Sequence, residues 1–170
     1  MMTIRPALPK DVPALMGIMN HYRRHSTAIW TRELCTPEDV RSWIKEHDAP
    51  RRCALVAEED GQILGYASLS CFRPYYGYRY TAENSIYLLP GQERRGLGTR
   101  LMQELLKKAG ALGLRIVTAW IDGENTASIA FHKALGFELV GTMKDVGMLD
   151  GVSRSVVILD YDLRAPKTDG

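Results

Sequence analysis

The stretch that most constrains this chain is Gln92-Glu93-Arg94-Arg95-Gly96-Leu97-Gly98-Thr99, a glycine-bearing turn between a β-rich run and a long amphipathic run. Upstream, Thr81 to about Leu89 reads as a strand that ends at Pro90-Gly91. Downstream, Leu97, Leu101, Met102, Leu105, Leu106, Ala109 and Leu112 recur at helical period, which predicts a helix over Gly96–Leu112 stopped by Gly113. The first N–H groups of a helix have no partner inside it, and the peptide dipoles add partial positive charge there. Gly96 and Gly98 let the backbone approach an anion closely, while Arg94, Arg95 and Arg100 raise the local potential. Such a turn suits a pyrophosphate. No Gly-Lys-Ser/Thr follows, which excludes a P-loop, and Leu101 stands where the dinucleotide fingerprint has its third glycine. Two glycines also suit a tightly packed surface helix, so the turn has to be weighed with its context.

That context is a regular alternation of periods. A strand over Met2–Arg5 is broken by Pro6 and Pro9, and Asp11 is expected to cap a helix to about Tyr22 with Val12, Leu15, Met16, Ile18 and Met19 inward. Thr36-Pro37-Glu38-Asp39 starts a second helix, because Thr36 accepts from free N–H groups and Pro37 suits the first helical position. Cys53–Glu58 and Ile63–Ser70 form a hairpin across Asp60-Gly61. After the long helix come a strand over Arg115–Ile121, a short helix over Asn125–Leu135 ended by Gly136, and strands over Phe137–Met143 and Val156–Tyr161. The order predicts an α/β (α+β) chain, a mixed sheet with helices on its faces. With 170 residues, one domain over 1–163 is expected, with 164–170 a frayed tail.

Composition narrows the function classes. Lys and Arg total 22 against 20 for Asp and Glu, a net charge of +2 that argues against a nucleic-acid partner. Three cysteines without CxxC spacing fit a reducing compartment, and the histidines show no metal-ligand spacing, so no metal is predicted. No signal peptide and no membrane-spanning run is visible, and a cytoplasmic chain is expected.

With the turn, Asn125-Thr126-Ala127-Ser128-Ile129-Ala130-Phe131-His132-Lys133-Ala134-Leu135-Gly136-Phe137 completes a pair of motifs that resembles the GNAT N-acetyltransferase superfamily from about Thr3 to Tyr161. Glu93 departs from the Gln or Arg usual at its position, and is expected to point away from the anion or to pair with an arginine. A narrower resemblance, to the phosphinothricin and methionine sulfoximine acetyltransferases, rests on Ser26-Thr27-Ala28-Ile29-Trp30, Gly65-Tyr66-Ala67, Phe72-Arg73-Pro74, Thr81-Ala82-Glu83 and Ser85-Ile86-Tyr87. The Lys, Trp and Asp that this subfamily carries near its C-terminus are missing from Val146–Ser155.

The resemblance implies the GNAT fold, a mixed, mostly antiparallel sheet of about seven strands flanked by about four helices, and acetyl-CoA as cosubstrate. It implies that Ile86, Tyr87 and Leu88 run beside the pantetheine arm, with the Leu88 N–H polarising the acetyl carbonyl. Arg94, Arg95, Gly96, Leu97, Gly98 and Thr99 would hold the pyrophosphate, and Asn125 with Ser128 would contact the pantetheine, although Asn125 also reads as an ordinary helix cap. Glu83 matches the family's glutamate base; its plainer reading is an outward strand residue paired with Arg79. His132 stands where many members carry a tyrosine that protonates the thiolate, and it reads equally as a packed residue or a CoA contact.

The segment Phe72–Tyr80 offers two guanidinium groups in an aromatic wall. Arg73 or Arg79 could hold a substrate carboxylate with Tyr75, Tyr78 and Tyr80 shaping the pocket, and Trp30 and the end of the first helix would line the other side. A solvated hairpin with its tyrosines packed is the alternative. The acceptor implied is a small-molecule amine. At pH 7 an amine of pKa about 8 is roughly a tenth neutral, against about one in a few thousand for a lysine, so an α-amino group asks less of a base. A peptide N-terminus is the second acceptor class, and a non-catalytic acyl-CoA sensor is the rival from outside the enzymes. A homodimer follows from the subfamily resemblance.

Overall fold

A computed structural model describes residues 1–165. Strand β1 (Thr3–Pro6) leads through a short 3-10 turn to helices α1 (Val12–His25) and α2 (Pro37–His47). Then come β2 (Cys53–Glu59), β3 (Gln62–Cys71), β4 (Thr81–Leu88), α3 (Leu97–Ala111), β5 (Ile116–Asp122), α4 (Thr126–Ala134), β6 (Glu138–Leu149) and β7 (Val152–Asp162). The seven strands form one sheet in the order β1-β2-β3-β4-β5-β7-β6. Every neighbouring pair is antiparallel except β4 and β5, which run parallel. A parallel pair needs a crossover, and α3 supplies it.

The helices cover both faces. Leu97, Leu101, Met102 and Leu105 of α3 pack with Leu55, Leu69, Val117 and Leu159 on one face, and Leu15, Ile18, Val40 and Ile44 of α1 and α2 pack with Val56 and Tyr66 on the other. Burying a side chain of this kind stabilises by about 1.5–3 kcal/mol. Strand alternation therefore assigns Tyr66 and Tyr87 to the α1/α2 side and Leu69 and Ile86 to the α3 side.

Local signals act as expected in most places. Asp60 and Gly61 both take positive φ (50° and 82°), the two-residue turn whose twist matches the flanking strands. Thr36 Oγ1 accepts from Asp39 N at 3.2 Å while Asp39 Oδ2 accepts from Thr36 N at 2.7 Å, a reciprocal cap. Asp11 behaves differently. Its buried carboxylate does not cap α1; it accepts from Leu8 N at 2.8 Å and from Arg5 at 2.7 and 2.9 Å. An arginine within reach outcompetes the helix end, and the pair ties β1 to the turn before α1.

Both strands of the last hairpin are longer than expected: β7 begins at Val152 rather than Val156. β6 runs to Leu149 rather than Met143, because it is an edge strand held by its ladder to β7, without a buried face to mark its period. Its register shifts between Met143 and Gly147, where Asp145 takes φ 51°. At the expected frayed tail, Arg164 bonds Asp162 at 2.8 and 2.6 Å, and 166–170 lie outside the described residues. Among the described residues no helix is long and apolar enough to cross a membrane.

Candidate active site

The site begins where the sheet opens. β4 and β5 pair only from Thr81 with Ile116 to Glu83 with Thr118, and beyond that they part. The gap is a cleft of about 140 Å³ lined by Glu83–Tyr87 of β4, Ala119–Asp122 of β5 and Asn125, Ser128 and His132 at the start and middle of α4. Leu89 N donates to Leu64 O of β3 at 2.8 Å. Strand alternation then turns the N–H groups of Leu88 and Ile86 away from β3, toward the open edge. The Tyr22 hydroxyl donates to Leu88 O at 3.0 Å, which fixes this end of β4 against α1.

At the mouth of α3, Gly96 caps the helix with φ 72°, and Arg94 takes φ 62°. The N–H groups of Leu97, Gly98 and Thr99 lie in the first helical turn, where no carbonyl of the helix reaches them. A Cβ on Gly98 would stand 3.4 Å from the Phe131 ring of α4, so the glycine lets the two helices close together. Glu93 resolves its departure from the motif by bonding back along its own exposed turn: Oε2 accepts from Gly91 N at 3.0 Å. Arg95 is engaged with Gln92 and, at 3.5 Å, with Glu59. Arg94 is exposed and is the freer cation at this turn.

Glu83 lies at the closed end of the cleft. Among the described residues its carboxylate has no hydrogen bond, burial pushes its pKa up, and Arg73 partly opposes that shift. The pairing with Arg79 does not form: Arg79 lies 3.7 Å over the Tyr76 ring and 4.3 Å over that of Tyr80. Arg73 sits over Phe72 and over Trp120, which lines the cleft.

His132 lines the cleft too, yet both ring nitrogens are engaged. Nδ1 lies 2.8 Å from Ser128 O and Nε2 3.1 Å from Asn84 Oδ1; both partners are acceptors, so the neutral ring donates to one of them at a time. Asn84 is oriented by its own donation to Thr118 O at 3.0 Å. Burial holds the His132 pKa below its usual value. Asn125 Oδ1 accepts from Ser128 N at 3.2 Å, so the cap reading holds.

The expected substrate-binding set divides. Arg73, Tyr75, Tyr78 and Arg79 line an outer hollow of about 340 Å³ with Arg51 and Arg52, and that hollow shares no residue with the cleft. Trp30 is a brace: its Nε1 donates to Asp122 Oδ2 at 2.8 Å and its ring lies on Gly147, where a Cβ would clash with it. Asp122 also takes Arg154 on both oxygens, at 2.8 and 2.6 Å, a buried pair at the end of β5. This anchors the segment after α1 that brings Ala28 to the cleft and Ile29 to a neighbouring cavity.

That cavity, about 250 Å³, lies between α1, α2 and the β3/β4 face, and it shares Ser85 and Tyr87 with the cleft. It brings Arg23, Ser68 and Ser70 together, none of which stood out in the sequence. Arg23 carried no motif signal, and the serines show themselves only through the two-residue period of β3.

Comparison with known proteins agrees with this fold. Residues 15–137 match the Acetyltransferase (GNAT) family. The chain belongs to that family. It is 36% identical over 150 residues to the L-methionine sulfoximine/L-methionine sulfone acetyltransferase of Salmonella typhimurium, covering 88% of each chain. It is 35% identical over 147 residues to the phosphinothricin N-acetyltransferase of Streptomyces coelicolor, covering 85% of this chain and 86% of that one. The phosphinothricin acetyltransferase of Sinorhizobium meliloti, solved with acetyl-CoA, superposes with a TM-score of 0.91 at 30% identity, over 99% of this chain and 94% of that one. The seven-stranded GNAT sheet with four α-helices is thus the fold of this chain.

Proposed function

We propose that this member of the family transfers the acetyl group of acetyl-CoA to the α-amino group of a small amino-acid-like molecule of the methionine sulfoximine or phosphinothricin type. The observation that carries this reading is the open β4/β5 cleft with an unpartnered carboxylate, Glu83, at its closed end. The thioester, when bound, supplies the electrophilic carbonyl and the thiolate leaving group. The N–H groups of Leu88 and Ile86 point to the edge where its arm would lie, and the start of α3 with Arg94 suits its pyrophosphate.

Glu83 takes the proton of the incoming ammonium, directly or through water. A base lifted by burial accepts that proton more readily than an ordinary carboxylate. His132 serves in this reading as a wall of the cleft beside the departing thiolate. Burial disfavours its charged form, the form that would give a proton to the thiolate. Arg73, beside Glu83 and Trp120, belongs to the acceptor end. Exposed Leu139, Val140, Met148 and Val152 on the β6/β7 hairpin support the homodimer that the resemblance implies, and the reading takes that dimer to be cytoplasmic.

The test is thiol release from acetyl-CoA against methionine sulfoximine, methionine sulfone, phosphinothricin, common amino acids, a polyamine and short peptides. Saturable release with one of the first three is expected. Glu83→Gln should lower kcat by about 10²–10⁴-fold. Only the carboxylate form works as a base, so the wild-type rate falls as pH drops through the raised pKa, and the variant loses that limb. A Glu83→Gln rate equal to wild type across pH 6–9 removes Glu83 as the base.

A further inference from the structure

Strand alternation sets two side chains across the open cleft from one another, on the face turned away from α3. Ala82 of β4 and Ala119 and Ile121 of β5 pack into the core under α3, so Glu83 and Trp120 point to the other face. Glu83 is the last residue of β4 paired with β5, opposite Thr118, and Trp120 follows two positions on, where the strands have parted. Both line the cleft. The carboxylate that takes the amine proton and a half-buried indole therefore stand on the two walls of one opening.

The indole is held by its neighbours rather than by its own polar atom. Arg73 Cζ lies 5.7 Å from its ring centre, and the Phe72 ring lies 6.1 Å away at 51°. Nε1 is buried and makes no hydrogen bond among the described residues. A phenylalanine would fill a place of pure packing without leaving a buried donor unmatched. What the tryptophan adds is a large flat ring at the cleft. Facing the same space is Ala28, fixed on both sides along the chain. Its N–H donates to Ser26 Oγ at 3.0 Å, and two residues on, Trp30 Nε1 donates to Asp122 Oδ2 at 2.8 Å. A cleft of about 140 Å³ between a fixed backbone and such a ring admits a slim side chain and little more.

We propose that Trp120 is the specificity-determining wall of the acceptor site: its indole limits the bulk of the acceptor side chain, so that slim, unbranched amino acids are acetylated and aromatic ones are rejected. The proposal rests on the acetyl-transfer reading and adds to it a size limit set from β5. Removing the ring leaves Glu83, the edge of β4 and the start of α3 in place.

The experiment measures kcat/KM for methionine sulfone and for phenylalanine in wild type, Trp120→Phe and Trp120→Ala, each saturated with acetyl-CoA. In Trp120→Ala the preference for methionine sulfone over phenylalanine should fall by about 10- to 200-fold, the discrimination that one methylene carries in an apolar pocket. Trp120→Phe should fall between, KM for acetyl-CoA should stay near wild type, and phenylalanine should be turned over faster than by wild type. A merely structural loss lowers both acceptors alike, and that result, or an unchanged preference, overturns the proposal. Tryptophan emission reads the contact without turnover. In the protein loaded with CoA, methionine sulfone should change the emission of wild type and of Trp43→Phe but not of Trp120→Phe. No change in wild type, or one that survives in Trp120→Phe, refutes the assignment. Should wild type release no thiol with any amine yet show the change and lose it in Trp120→Phe, the transfer reading fails and the pocket assignment stands. Should Trp120→Ala not fold, Trp120→Phe decides alone, since its preference must fall and its emission change must vanish.

Discussion

Replacing Gly65 with alanine tests how tightly β3 holds the edge of the cleft. Gly65 pairs with Leu88 across the β3/β4 ladder. A Cβ there would come within 2.7 Å of Leu88 Cδ2, 2.8 Å of Tyr87 O and 3.2 Å of Leu88 Cα. The leucine methyl can rotate aside, but the other two atoms are backbone, so β4 itself must give way by several tenths of an ångström. Overpacking of this kind costs about 1–3 kcal/mol. At this chain length each kcal/mol lowers the melting temperature by about 2–4 °C, so the expected fall is about 2–12 °C. The displaced strand carries Leu88, whose carbonyl is tied to Tyr22 and whose N–H faces the open edge. The KM for acetyl-CoA should therefore rise with the loss of stability. Gly141→Ala in β6, where a Cβ meets nothing within 4 Å, serves as the control and should be neutral or slightly stabilising. A Gly65→Ala protein with wild-type melting temperature and wild-type KM for acetyl-CoA would refute the reasoning.

Two further outcomes are expected. Burial holds the pKa values of His47 and His132 below the unfolded value of about 6.5, so the unfolded chain binds more protons than the native one just below that pH. The stability this represents is complete above about pH 6.5 and is lost as pH falls toward the depressed native values. Glu83, raised by burial, titrates with the opposite sign, so urea midpoints should be followed from pH 7.5 to 5.5 in Glu83→Gln; a midpoint that rises on acidification contradicts the account. Among the thiols, exposed Cys71 should alkylate first and half-buried Cys35 later, while Cys53, buried and pushed up to about 11, should react only on unfolding. Mass spectrometry of partially alkylated protein gives that order.

Much of the fold was legible because its signals are local. Asp60-Gly61 sets a hairpin through its own backbone preference, Thr36-Pro37-Glu38-Asp39 opens a helix through its own side chains, and the leucines of α3 declare their buried face by spacing. The signals that misled were those another part of the chain could override. Arg5 reaches Asp11 and takes it from the helix end, and β6 lacks the buried face that would have marked its full length. The site was legible in the same uneven way. Glu83, His132 and the glycine turn sit in motifs, so they could be named; their partners could not. That Nε2 of His132 faces Asn84, 48 positions away, follows from where α4 rests on the sheet.

The sequence alone determined the order of elements, the anion-binding start of α3 and the family, because each depends on residues close together along the chain. Tertiary structure decided which charges are free and which are spent. It paired Asp122 with Arg154 and Trp30, stacked Arg79 on tyrosines, and left Glu83 and the Nε of Arg23 without a hydrogen bond among the described residues. Pairing and desolvation depend on distances between residues remote in sequence, and folding is what sets those distances.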